Sequence, residues 1–396
     1  MASRRAAYGP PSGPAEFRAL EELISFTYQF GPGEFRRWMR GAGRENARVV
    51  RDLGAVTGGL FVYPMGQWFG GRSVPCLGVA GVGIAPEHRA RGAGSDMMGA
   101  VVREAAAGGF PLSALYPATQ PVYRRAGYEQ AGHRLVYAVA AASIASRERE
   151  PDVRPARPSD RRTIEGLYEA QCREGAGLLD RSEFLWKRLL DPPETSLRAY
   201  IVHRGREALG YVVVAPKKGE TLIQDLSLLD LAFRTPEAGR RILSFLASQR
   251  SFVKTIRWNG GPQDPLIALL REQEYAVERH WRWMVRICDL RRAFEARGYR
   301  AGVRVEVGLE VTDDLLPGNA GSWTLRIAGG RGRLARGTTG PGGTVACDIR
   351  ALASVYTGFA SPEEARNRGN LDGPAAALAA LGAAFSGPTP WIREMF

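Results

Sequence analysis

The sequence predicts an α+β protein divided into more than one domain. Two observations carry this expectation. Short apolar, strand-like runs alternate with helical patterns along the whole chain. The 396 residues also exceed what a single hydrophobic core usually serves, and a polar, proline-bearing link, Arg147-Glu148-Arg149-Glu150-Pro151-Asp152 followed by Pro155 and Pro158, interrupts the pattern.

Taken in order, the first segment covers residues 1–145 and closes on an apolar strand at residues 135–142. The second covers residues 151–289. Pro158-Ser159-Asp160 caps a helix carrying Ile164, Leu167 and Tyr168, and strands are expected at 199–203, 210–215 and 224–230. The third covers residues 290–396, with strands near 303–311 and 323–327 and a helix-rich stretch from Ile349 onward. Residues 329–343 read as a long glycine-rich hairpin loop between strand-like runs.

Composition excludes several classes. Hydrophobic residues make up 44% and charged residues 24%, which is ordinary for a globular protein. Apolar runs stop well short of a membrane span, and residues 1–14 carry no apolar signal core, so the cytoplasm is the expected location. Cys76, Cys172, Cys288 and Cys347 are far apart, which argues against a disulfide framework or a metal site. The net charge of +13 comes from arginine, 50 of the 54 basic residues, spread along the chain rather than gathered in runs. No specific nucleic-acid binding is expected; an arginine-rich binder would show affinity falling steeply with salt.

The chemistry-bearing stretch is residues 79–107. Val82-Gly83-Ile84 ends a strand, Pro86 stops it, and Arg89-Ala90-Arg91-Gly92-Ala93-Gly94-Ser95 leads into a helix with Met97, Met98, Val101 and Val102 on one face. A strand, a tight basic glycine turn and a helix N-terminus together suit a pyrophosphate, because N–H groups and the helix dipole face the anion. A Cβ at Gly92 or Gly94 would hold phosphate off those amides. Residues 115–119, Leu-Tyr-Pro-Ala-Thr, form a second short strand ending in a polar turn, followed by Pro121-Val122-Tyr123-Arg124-Arg125-Ala126-Gly127-Tyr128.

The string Arg89-x-Arg91-Gly92-x-Gly94 resembles the acetyl-CoA loop of the GNAT acyltransferases, and residues 121–128 resemble the segment that ends most GNAT cores. Residues 263–266, 281–287 and 293–299 extend the resemblance to the enhanced-intracellular-survival (Eis) acetyltransferases. The resemblance implies tandem GNAT folds, mixed central sheets flanked by helices, with the second copy degenerate, followed by a sterol-carrier-protein-like α/β domain. It implies an N-acetyltransferase using acetyl-CoA and no metal, assembled as a homo-hexamer, acting on primary amines such as those of aminoglycosides, polyamines or lysine. The cofactor would contact Val82, Gly83, Ile84, Arg89 to Ser95, Ala118 and Thr119. Tyr123 occupies the proton-donor position, with Tyr128 the competing tyrosine, and the α-carboxylate of Phe396 matches the proton acceptor.

The substrate pocket is expected at Tyr28, Trp38, Tyr116 and Glu394; Tyr28-Gln29-Phe30 lacks a carboxylate that some relatives carry, which favours a less polar amine. In the second copy, Thr235-Pro236-Glu237 replaces the glycine turn and puts a negative charge where a pyrophosphate would sit. The histidines His88, His133, His203 and His280 fit no catalytic spacing. Leu325, Ile327, Ile349, Leu352 and Val355 serve either as core or as the lining of a lipid cavity. The alternative from another class is a catalytically inactive lipid- or metabolite-binding protein on the same scaffold.

Overall fold

A computed structural model describes residues 7–89, 92–190, 196–217, 224–337 and 342–396. The first part of the chain forms β1 (Ala7–Gly9), α1 (Pro14–Tyr28), α2 (Glu34–Ala42), β2 (Ala47–Asp52), β3 (Ala55–Phe69), β4 (Arg72–Ile84), α3 (Ala93–Ala107), β5 (Leu112–Leu115), α4 (Gln120–Arg125) and β6 (Glu129–Ala140). There follow β7 (Asp152–Pro155), α5 (Arg161–Glu174), β8 (Leu179–Asp180), α6 (Glu183–Leu190), β9 (Arg198–Arg204), β10 (Glu207–Lys217), β11 (Gln224–Phe233), α7 (Pro236–Ala247), β12 (Val253–Gly260) and β13 (Tyr275–Ile287). The last part holds α8 (Leu290–Ala296), β14 (Val305–Thr312), β15 (Gly321–Ala328), β16 (Arg331–Arg336), β17 (Thr344–Asp348), α9 (Ile349–Thr357), α10 (Pro362–Asn367), β18 (Leu371–Asp372) and α11 (Ala375–Phe385).

These elements gather into two compact units: residues 1–131 with 283–387 and Phe396, and residues 132–282 with 388–395. In the first unit, β1 to β4 are antiparallel neighbours, β5 joins β4 in parallel, and the end of β13 pairs with β5 from Met284↔Leu115 to Ile287↔Leu112. In the second, β9, β10 and β11 are antiparallel, β12 joins β11 in parallel, and the end of β6 pairs with β12 from Leu135↔Gly260 to Ala140↔Thr255. The same four-strand pattern therefore occurs twice, each time with a helix, α3 or α7, between the two parallel strands. Each pattern is closed by a strand from the other half of the sequence.

The helix face expected at Met97, Met98, Val101 and Val102 is buried together with Leu60, Val62, Leu77, Val79 and Leu115. In the second unit α7 contributes Ile242, Leu243 and Leu246 to a core with Val212, Val214, Leu228 and Ile256. The five-stranded sheet β16-β15-β14-β17-β18 carries the third segment. Leu325, Ile327, Ile349, Leu352 and Val355 are all buried there, the arrangement of an ordinary core.

The glycine-rich stretch 329–343 is not one loop. Gly329 and Gly330, both at positive φ, make a two-residue hairpin turn that leads into β16, which pairs with β15 from Trp323↔Arg336 to Ala328↔Arg331. Gly332 and Leu334 face inward while Arg331 and Arg333 face water, and that alternation is a strand signature in spite of the charge. Residues 338–341 lie outside the described residues.

Two guanidiniums are buried inside the first unit. Arg286, fully buried on β13, donates to both Asp313 oxygens at 2.6 and 2.7 Å. Gly127, at φ +85°, lies under it, and a Cβ there would stand 2.8 Å from the guanidinium carbon. Arg297 is surrounded by the rings of Phe69, Tyr299, Tyr356 and Phe385 and donates to the Tyr356 carbonyl.

In the second unit His133 Nδ1 lies 2.8 Å from His280 Nε2, the rings stacked at 5.0 Å. Burial, then His280 and Arg282, push the His133 pKa down to about 4. The unfolded chain thus binds a proton below about 6.5 that the folded chain refuses until about 4. Urea unfolding followed against pH should show stability lost as pH falls through this window, and His133→Gln should flatten that part of the curve.

Candidate active site

The antiparallel partners β3 and β4 slip register between Gly59↔Gly83 and Phe61↔Ala80, so β4 carries one extra residue at Gly81-Val82. Gly81 has φ +60°, and a Cβ on it would meet the Trp38 ring at 2.7 Å; glycine is required twice over. On the other side, the parallel pairing of β4 with β5 ends at Val79↔Leu115, while β4 continues to Ile84. The strands part there. Backbone groups of residues 80–84 on that edge face a cleft instead of a ladder.

The floor of the cleft is the start of α3. Gly92, at φ +87°, is its N-cap and supplies no side-chain capping bond, so the first-turn N–H groups remain available to an anion. Gly94 lies against Val122 and Ile84, with 3.4 Å from its ideal Cβ position to Val122 Cγ1. Arg89 is anchored through Nε to the Ile84 carbonyl at 3.0 Å. Ala90 and Arg91 lie outside the described residues. Ala93 and Ser95 are in the first turn of α3; Ala118 and Thr119 are exposed in the turn after β5, Thr119 as the N-cap of α4.

Tyr123, on α4, is buried, and burial foremost raises its pKa, with the Tyr28 phenol acting in the same sense and a hydrogen bond with the Ala118 backbone opposing it. Its phenol stays protonated at neutral pH. Tyr128 is fully buried, with its hydroxyl 2.8 Å from Ser113 Oγ, which in turn donates to the Leu77 carbonyl. That is a packed core position.

The expected pocket residues divide. Tyr28 reaches the cleft, its hydroxyl donating to the Val82 carbonyl at 3.3 Å, and its ring stacks on Phe30. Trp38 packs edge-on against Phe61 at 4.7 Å, over the Gly81 bulge. Tyr116 lies 5.7 Å from the Phe396 ring, and Phe396 also approaches Gly78 of β4. Glu394 is held elsewhere: its carboxylate accepts from Arg181 Nε at 2.5 Å within the second unit. Gly81 and Phe30 were missed by sequence reasoning. Two glycines flanking Val82 inside a strand were the available sign of a bulge.

Two models of the family described as acetyltransferase (GNAT) domain match residues 14–131 and 177–287, and one described as sterol carrier protein domain matches residues 290–393. The crystal structure of a GCN5-related N-acetyltransferase from Anabaena variabilis is 33% identical, covers 99% of this chain and 100% of its own, and superposes with a TM-score of 0.93. The chain belongs to the GCN5-related N-acetyltransferases. A second such structure, from Kribbella flavida, is 28% identical with a TM-score of 0.88 and full coverage of both chains. N-acetyltransferase Eis of Mycobacterium tuberculosis is 28% identical over 376 residues, 88% of this chain and 89% of that one.

The GNAT domains of this acetyltransferase imply acetyl-CoA as acyl donor. The first copy fits that group: an uncapped helix N-terminus, a glycine at positive φ and parted strands are in one place. The second copy does not fit. Thr235 Oγ1 accepts from the Ala238 N–H at 3.3 Å, so that helix caps itself, and Glu237 stands in its first turn. Gly92→Val adds a branched side chain at φ +87° and shields the helix N-terminus. Isothermal calorimetry should show acetyl-CoA affinity weakened on the order of 10-fold or more with the fold retained.

Proposed function

We propose that this acetyltransferase moves the acetyl group of acetyl-CoA to a primary amine of a small molecule by direct attack on the thioester, with Tyr123 as proton donor and the Phe396 α-carboxylate as proton acceptor. The observation that carries the reading is the seat of Phe396. Its buried ring lies against Tyr116 and Gly78, in the same unit as the glycine turn and Tyr123.

The amine arrives as ammonium and must lose a proton to attack. A carboxylate with an unperturbed pKa of about 3.3–3.7 is ionised at neutral pH and accepts it, directly or through a water. When the C–S bond breaks, the departing thiolate takes a proton from Tyr123, whose raised pKa keeps that proton in place until then. Backbone groups of Val82, Gly83 and Ile84 would hold the pantetheine arm. The N–H groups following Gly92, with Arg89 and Arg91, would hold the pyrophosphate. Bound acetyl-CoA supplies the activated acyl carbon.

Tyr28, Trp38 and Tyr116 offer aromatic walls, and Glu394 is spent on Arg181. This favours a primary amine on a less polar body over a polycationic aminoglycoside, with polyamines and lysine amines between the two. Division into domains 1–145, 151–289 and 290–396, a homo-hexameric assembly and a cytoplasmic location belong to the same proposal. The spans of the three family matches support the first, and resemblance alone supports the hexamer. Among the described residues no helix is long and apolar enough to cross a membrane.

A thiol-release assay over an amine panel, from kanamycin-like aminoglycosides through lysine peptides to arylalkylamines, tests the reaction. Tyr123→Phe should lower kcat on the order of 10²-fold with the KM for acetyl-CoA nearly constant. A larger loss from Tyr128→Phe would reassign the acid. Residues appended after Phe396 convert its carboxylate to an amide and should abolish turnover; normal turnover would remove that carboxylate from the mechanism.

A further inference from the structure

The second GNAT-fold copy repeats the geometry that makes the cleft of the first. Its parallel pairing ends at Leu228↔Trp258, and the antiparallel partner slips register just beyond, between Val214↔Leu228 and Val213↔Asp230. In the first copy the parallel pairing ends at Val79↔Leu115 and the slip follows at once, with Gly83 the first residue past it. Asp230 is thus, like Gly83 in the first copy, the first paired residue past a slip. β11 runs on to Phe233 and β12 ends at Gly260, so this pair of strands also parts.

Here the opening is filled by the chain's own residues 388–395. The Trp391 ring lies on Gly261, just past the end of β12, where a Cβ would stand 2.6 Å from Cδ1. Arg393 Nη1 donates to Asp230 Oδ1 and to the Leu231 carbonyl, both at 2.8 Å, on the part of β11 beyond its parallel pairing. The backbone is tied as well: His133 N–H donates to Pro390 O, Ile392 N–H to His133 O and Trp391 N–H to Ala176 O, at 2.9 to 3.1 Å. Arg134 donates to Arg393 O, and Arg188 to Met395 O.

Asp230 is the centre of this clamp. It is fully buried and accepts from Arg181 at 2.6 Å, from Arg393, and from the Tyr211 hydroxyl at 2.5 Å. Arg181 lies over the Tyr168 ring at 3.6 Å and donates its Nε to Glu394. Arg181 and Arg393 lie 49 and 163 residues from Asp230 in sequence, and every charge in the cluster has an opposite partner.

We propose that the degenerate copy keeps its cleft as a clamp for the segment leading to Phe396, with Asp230, Arg181 and Arg393 as positioning residues for the terminal proton acceptor. The inference rests on the role given above to the Phe396 carboxylate. One peptide bond separates Met395 from Phe396, and rotation about a loosened 393–395 segment would move the carboxylate by more than an attack geometry tolerates.

Arg393→Met removes the bond to Asp230 while Arg181 still neutralises it. Steady-state kinetics should show kcat down on the order of 10-fold or more, with acetyl-CoA affinity by calorimetry unchanged, and Arg393→Lys should recover most of the loss. A stability role alone would lower the unfolding midpoint and leave kcat per folded molecule intact, which overturns the clamp. In the unaltered protein, hydrogen exchange at the Trp391 and Ile392 amides should be as slow as in β11; exchange at the rate of a frayed end also overturns it. The two readings separate cleanly. If extension after Phe396 leaves turnover normal, the carboxylate role fails; if extension kills turnover but Arg393→Met does not lower kcat, only the clamp fails.

Discussion

Two parallel strands share a ladder only while their backbones stay about 4.8 Å apart. A bulge in one of them, opposite its antiparallel neighbour, bends it away, and from that point its peptide groups need another partner. This constraint appears twice here, at Gly81-Val82 on β4 and at Leu229 on β11. Much else follows from how each opening is satisfied. The first is left bare, floored by an uncapped helix N-terminus, and suits a pantetheine arm and its pyrophosphate. The second is closed by the protein's own polypeptide, and its helix is capped by Thr235.

Burial of charge follows the same division. Around the first cleft the walls are aromatic and β4 carries glycines. Around the second, one aspartate, two arginines and a glutamate are withdrawn from water together. Burial alone would raise the Asp230 pKa, and the two guanidiniums more than compensate, leaving it lowered. Such clusters contribute little net stability relative to an apolar core, but removing one member is costly because the others stay behind unpaired. A cluster of that kind fixes a segment in one place. Arg286 with Asp313 plays a comparable part against Gly127, where the chain turns from α4 into β6.

β6 begins in the first unit and ends paired with β12, and β13 begins in the second and ends paired with β5. Each sheet lacks a strand without the other half of the sequence.

The elements were largely legible because their signals are local. Val82-Gly83-Ile84 before Pro86, the glycine turn, the Met97–Val102 face and the Thr235 cap each depend on residues within a turn or two, and composition and periodicity expose them. The stretch after Gly329 was misread because arginine masked the alternation of a strand whose inward positions are only a glycine and a leucine. What the sequence could not contain is the pairing of distant residues. Nothing in the strings around Asp230, Arg181 and Arg393 indicates that they meet, nor that Glu394 turns to Arg181. The motifs determined which chemistry this chain is equipped for; the tertiary structure decided which of two similar clefts stays open and where the segment leading to Phe396 is held, because both depend on buried charges brought together across the length of the chain.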